Sequence, residues 1–234
     1  MPGFHRSTPF LIEVPDNFPE AKLSAFLDYA GPRLVNTPYG EPWQEFGGAS
    51  NLILWRFRTC CEEWEAYKAF LAAHSNPDFE ELYRRERALF GMFTAGVSCL
   101  DSTVYSLAAL ASHPHMLGIA FGPSQQRACC PAALRQWLAP HASAAPLVDV
   151  LDQLLNSAQW ELLVDLRNRM MHRSPLPRVI KAWMGTLPPV IKPLHFASTS
   201  STPALEEDLH HFDALVDWLA STLSALLDAG ARLK

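Results

Sequence analysis

Between Asp78 and Ala111 apolar side chains recur every three or four residues without a break. Phe79, Leu82, Phe90, Phe93, Val97, Leu100, Val104, Leu107 and Ala111 lie in one register, with Glu86 among them. That period is the helical one, and it predicts a single helix roughly 50 Å long with a continuous apolar face. A face of that length is buried only against helices of similar length, so the chain is predicted to be a helical bundle. Asn76 is expected to cap this helix, with Pro77 as its first residue.

The partners are legible in the same way. Trp64, Tyr67, Phe70 and Leu71 predict a helix from Cys61 to Asn76. Leu147, Leu151, Leu155, Ala158, Leu162 and Leu166 predict another that reaches about Arg173, where Ser174-Pro175-Leu176-Pro177 must stop it; Asn156-Ser157 is placed to interrupt it midway. A final helix is expected to carry Glu206 and Glu207 in its first turn, a core face of Leu205, Leu209, Phe212, Val216, Leu219, Leu223 and Leu226, and an end at Gly230. Before Cys61 one short helix is expected, Glu20 to Tyr29, ended by Gly31-Pro32. Residues 113–145, rich in proline and glycine, read as an irregular crossover with one short helix, Ala132 to Leu138. The expected fold is all-α, an up-down bundle over residues 59–234 preceded by an irregular wrapping segment over residues 1–58, one domain in total.

Charge and cysteine usage narrow the setting. A net charge of -5 provides no general field for nucleic acid or anionic membrane, so any contact with phosphate must be local. The N-terminal residues lack the basic and apolar regions of a secretory signal, and no apolar run is long enough to span a bilayer; no membrane association and a cytoplasmic location are expected. The five cysteines include the vicinal pairs Cys60-Cys61 and Cys129-Cys130 but no CxxC, and His113 and His115 flank Pro114 without a cysteine or carboxylate at ligand spacing. No metal and no cofactor are expected. Phosphate-binding, dinucleotide-binding, zinc-protease and serine-hydrolase signatures are absent.

One segment carries chemistry: Asp165-Leu166-Arg167-Asn168-Arg169-Met170-Met171-His172-Arg173. Arginine followed directly by asparagine, with histidine four residues later, is expected by chance only about 0.014 times in a chain of this composition. The segment resembles the Arg-Asn-x-x-x-His signature of HEPN domains, helical bundles that include many metal-independent endoribonucleases of toxin, defence and RNA-processing systems. Arg167, Asn168 and His172 carry the match. Their place near the end of a penultimate long helix suits it, and the resemblance extends over about residues 64–230. It implies a homodimer in which two motifs share a cleft, with His172 moving a proton, Arg167 holding phosphate and Asn168 positioning one of them. It also implies RNA or a nucleotide as ligand, with DNA excluded, and a cognate antitoxin as a further partner. Some members bind without cleaving, which leaves a noncatalytic nucleotide- or partner-binding protein as the alternative.

The residues support this chemistry directly. Arginine presents a planar fork to phosphate oxygens, and imidazole titrates near neutrality. Glu161, Asp165, Asn168 and His172 fall on one helical stripe. Asp165 can pair with Arg169 one turn on, and Arg169 and Arg173 add cations for substrate. Arg167 lies off that stripe and is expected to reach round to the helix end. On the long central helix Thr94, Ser98, Asp101 and Tyr105 form a second polar stripe; Asp101, with Ser98 and Tyr105, is expected to face the motif and orient His172 or Arg167.

Overall fold

The computed structural model describes residues 3–34, 44–73, 78–172, 195–196, 205–206 and 209–234. The fold is all-α, a helical bundle. A small antiparallel hairpin, β1 (Phe4–Arg6) and β2 (Glu13–Pro15), leads into α1 (Glu20–Leu34), α2 (Glu45–Ala73) and α3 (Phe79–Ser112). Short helices α4 (Pro123–Ala128) and α5 (Pro131–Leu138) occupy the crossover. α6 (Ala145–Leu155) and α7 (Ala158–His172) follow, then β3 (His195–Phe196), β4 (Leu205–Glu206) and α8 (Leu209–Gly230). Among the described residues no helix is long and apolar enough to cross a membrane.

The central helix α3 forms over the predicted span, but its apolar face is not buried throughout: Phe79 is 91% exposed because burial along the helix begins only at Arg85, and Phe90 is 38% exposed. Its cap is Asp78; Asn76 and Pro77 lie outside the described residues. The Asp78 carboxylate accepts from the Glu81 N–H and the Glu81 carboxylate accepts from the Asp78 N–H, both at 2.8 Å. This reciprocal capping box satisfies two otherwise orphaned donors.

Three boundaries differ from expectation. Helix α2 begins at Glu45, well before Cys61, so residues 58 and 59 lie inside one helix. Gly47, Gly48, Ser50 and Asn51 make its first turns poor helix formers. Burial of Phe46, Ala49, Ile53, Leu54 and Phe57 outweighs that local preference. Helix α1 runs through Gly31-Pro32 to Leu34, its buried Leu23, Phe26 and Ala30 holding it to the core. Glu206 pairs with His195 in the β3–β4 ladder and so does not enter the first turn of α8, while Glu207 lies outside the described residues. His113 is buried at the C-terminal cap of α3; only its neighbour His115 is exposed.

The break at Asn156-Ser157 is present, and Ser157 serves both sides of it. Its hydroxyl donates to the Leu154 carbonyl at 2.8 Å, closing α6, and accepts from the Trp160 N–H at 3.2 Å, opening α7.

At one end of the bundle Phe212 of α8 meets Trp64 and Phe93 edge-on, with centroids 5.4 and 5.5 Å away, while the Trp64 indole N–H donates to Asp213 at 2.7 Å. At the other end the last turn of α8 approaches α1 and α3 so closely that only glycine fits at position 230. A Cβ there would lie 2.9 Å from Phe26 Cε2 and overlap Leu107 Cδ2, both side chains being fully buried. Gly230→Ala is therefore expected to lower stability by about 1–3 kcal/mol through overpacking. Urea unfolding followed by circular dichroism measures it, and an unchanged midpoint would show that the end of α8 yields freely.

Candidate functional site

Helix α7 packs on α3 through Leu163 and Leu166, both buried, with Leu163 against Gly96. Because residues one turn apart share a face, this orientation decides what the motif can do. Arg167 follows Leu163 by one turn and is drawn to the inner edge of α7. It is half-buried, and its Nε is enclosed without a hydrogen-bond partner. Its positive charge is felt by Asp101 of α3, and the side chains at the helix end that it was expected to reach, His172 and Arg173, lie outside the described residues. Glu161 and Asn168 are exposed and Asp165 is half-buried, and Asn168 leaves the helix about 100° round from Arg167.

The α3 stripe supplies Asp101, which feels the charge of Arg167. Thr94, Ser98, Asp101 and Tyr105 are each half-buried, a seam in a helix whose flanking residues are almost all buried. Burial pushes the Asp101 carboxyl above the ordinary aspartate range, and the positive charges of Arg167 and then Arg56 offset part of that rise. Thr94 Oγ1 is enclosed without a partner. Tyr105 stands edge-on to Phe121 at 4.9 Å, and its hydroxyl is raised by burial first and then by Glu45. Cys129, at the end of α4, lies near enough for Asp101 to add to the effects of burial and of Cys130, its thiol being pushed up to about 12. The crossover therefore closes onto this cluster.

Arg56 and Ser102 were not singled out from the sequence. From α2, Arg56 Nη1 donates to the Ser98 carbonyl at 2.8 Å and the Ser102 hydroxyl at 2.6 Å. The one available signal was a cation inside the apolar run Leu52 to Phe57. Arg56 and Arg167 place two cations near the one carboxylate of Asp101 among the described residues, in a half-buried setting. Such a cluster favours an anion, and a phosphate oxygen would also satisfy the enclosed Arg167 Nε.

The remaining expected residues are placed as follows. Arg169 Nε pairs with Asp165 at 2.7 Å, which engages that cation on the helix surface. His172 is the last residue of α7; its side chain lies outside the described residues, as does Arg173.

The raised Asp101 carboxyl predicts opposite effects on stability and function. A group whose pKa is higher in the folded state supports folding most at pH values below its unfolded pKa, and that support is lost as pH rises through the folded value. Ionised Asp101 therefore costs stability at neutral pH. Asp101→Asn is expected to melt above wild type at pH 7 and level with it at acidic pH, while losing activity. Thermal melts at the two pH values decide this; a lower Tm at pH 7 would mean that the carboxylate holds the fold together.

What fold and site define is an all-α bundle with an arginine–aspartate cluster contributed by its second, third and seventh helices. Compared with protein-family models, curated proteins and solved structures, the chain matches none.

Proposed function

We propose that the protein is a metal-independent endoribonuclease of HEPN type, cytoplasmic and dimeric, acting in a toxin or defence setting. The observation that carries this reading is the half-buried Arg167, its Nε unsatisfied, beside Asp101 and a second cation, Arg56. An enclosed donor without an acceptor costs about 1–3 kcal/mol, so it marks a place where a ligand oxygen is worth more than elsewhere. Arg167 holds the scissile phosphate, Asp101 keeps its guanidinium in place, and His172, one turn beyond the exposed Asn168, moves the proton. Two copies supply an acid and a base. The same observation also supports a second reading, a protein that holds a nucleotide without cleaving it. Labelled single-stranded RNA incubated with the purified protein separates the two. Shortened products support the nuclease, and retention of intact RNA or nucleotide on the protein supports the binder. Neither outcome, with a monomer in light scattering, would remove both.

A further inference from the structure

Carboxylates gather where the N-terminal hairpin meets the bundle. Gly3, Asp16 and Asn17 of the hairpin segment form one wall of a cleft of about 500 Å³, opposite Cys61, Trp64 and Glu65 of α2 and Asp213 and Asp217 of α8. The bundle supplies a cation for two of these acids: Lys68 Nζ pairs with Glu65 at 2.8 Å and with Asp213 at 3.0 Å. Asp217 accepts from the Asn17 amide at 3.0 Å. Asp16 is held differently, by the His5 ring of β1.

That ring is engaged on both sides. His5 Nδ1 lies 2.9 Å from Asp16, and Nε2 lies 3.0 Å from Glu20 in the first turn of α1. Ionised carboxylates only accept, and a neutral imidazole has a single N–H, so both contacts are hydrogen bonds only while the ring carries both protons. Glu20 and then Asp16 hold the ring proton above the ordinary histidine range, while His5 and then Ser7 hold the Glu20 carboxyl below the ordinary glutamate range. The buried Ser7 hydroxyl donates to the other Glu20 oxygen at 2.8 Å and accepts from the Phe10 N–H at 3.0 Å, so the hairpin turn hangs on the same carboxylate.

The two strands differ in their anchorage. On β2 Val14 is fully buried, and the Glu13 carbonyl accepts from Arg58 at 3.1 Å. All three residues of β1 are exposed. Besides the acids already named and Lys68, the charged and titratable groups around the hairpin include Arg6 and Glu13 on it and Arg58 and Cys61 on α2. Arg58 pairs with Glu62 at 2.6 Å, and burial pushes the Cys61 thiol well above the ordinary cysteine range. Histidine is the side-chain type in this set that ordinarily changes charge near neutrality.

We propose that the hairpin is a pH-operated strap on this cleft. With His5 protonated, its ring ties Asp16 to Glu20 and β1 lies shut against α1. As pH rises the ring loses one proton, one carboxylate loses its donor, β1 comes away with Gly3, and the cleft widens toward Cys61. The raised proton affinity of His5 supports closure fully below the ordinary histidine pKa, and that support is lost as pH climbs through the folded value. The lowered Glu20 carboxyl adds support that is lost only on acidification. This device is independent of the ribonuclease reading.

The test is hydrogen exchange of the full chain at pH 6 and pH 9, corrected for the intrinsic rates, with α3 amides as the internal control. Protection of the β1–β2 ladder in wild type is expected to fall by about 3- to 10-fold at pH 9 relative to pH 6, the scale of losing one or two exposed ion pairs. His5→Gln should be equally protected at both pH values, and His5→Arg, charged throughout, should stay as protected at pH 9 as at pH 6. Alkylation of Cys61 by iodoacetamide at pH 9, located by peptide mapping, should be faster in wild type than in His5→Arg, a comparison in which thiol chemistry is equal. Unchanged ladder protection in wild type overturns the strap, as does a loss at pH 9 that His5→Arg reproduces. Equal Cys61 alkylation in the two proteins would show that β1 loosens without opening the cleft, and the inference is then wrong.

Discussion

Replacing Arg167 with alanine is expected to reduce RNA cleavage by roughly 100-fold or more, the usual cost of removing one donor aimed at developing charge in a water-poor site. Arg167→Lys should recover little of it, because an ammonium keeps the charge but loses the planar fork that grips two phosphate oxygens. His172→Ala is expected to cost about 100- to 10,000-fold by removing proton transfer. The accompanying stability change tells a site residue from a scaffold one. Arg167 lowers the cost of an ionised Asp101. Its removal should therefore lower Tm at neutral pH and leave Tm unchanged at acidic pH, where Asp101 is protonated in both proteins. Initial rates on labelled RNA with melts at two pH values measure both. Cleavage at the wild-type rate by Arg167→Ala would sink the proposed site.

The second large effect lies in the substrate. RNA carries its own nucleophile: the 2′-oxygen attacks the adjacent phosphorus, its proton passes to a base, and the P–O5′ bond breaks as an acid protonates the leaving oxygen. The products are a 2′,3′-cyclic phosphate and a 5′-hydroxyl, with no water consumed. In the proposed mechanism Arg167 would stabilise the charge that builds on the non-bridging oxygens between those events. A single 2′-deoxy substitution at the scissile nucleotide should therefore abolish cleavage there, and DNA should be inert. EDTA should leave the rate unchanged, and the rate should rise and fall with pH through two coupled imidazoles. End-group analysis with and without chelator examines each point. Equal cleavage of the deoxy substrate, or loss of activity in EDTA, would falsify this mechanism.

Much of the candidate site was legible because it depends on local spacing. The Arg167-Asn168-x-x-x-His172 segment and the Thr94–Ser98–Asp101–Tyr105 stripe are helical-register patterns, and the half-burial of that whole stripe follows from its period. Arg56 was not legible, because a lone arginine in an apolar run gives no sign of which helix it will meet. Its partners, the Ser98 carbonyl and the Ser102 hydroxyl, are more than forty positions away in the chain.

The sequence by itself determined the helical class, the length of α3, the interruption at Asn156-Ser157 and the Asp165–Arg169 pair, since each depends on residues within one or two helical turns. Tertiary structure alone decided where α2 begins, because burial of Phe46, Ile53 and Phe57 against distant helices outweighs the poor propensity of Gly47-Gly48. It also decided how α7 is rotated about its own axis. Seating Leu163 on Gly96 turns Arg167 inward to Asp101 and leaves Asn168 in solvent, a choice between two polar neighbours that no local pattern distinguishes and only the shape of the facing helix resolves.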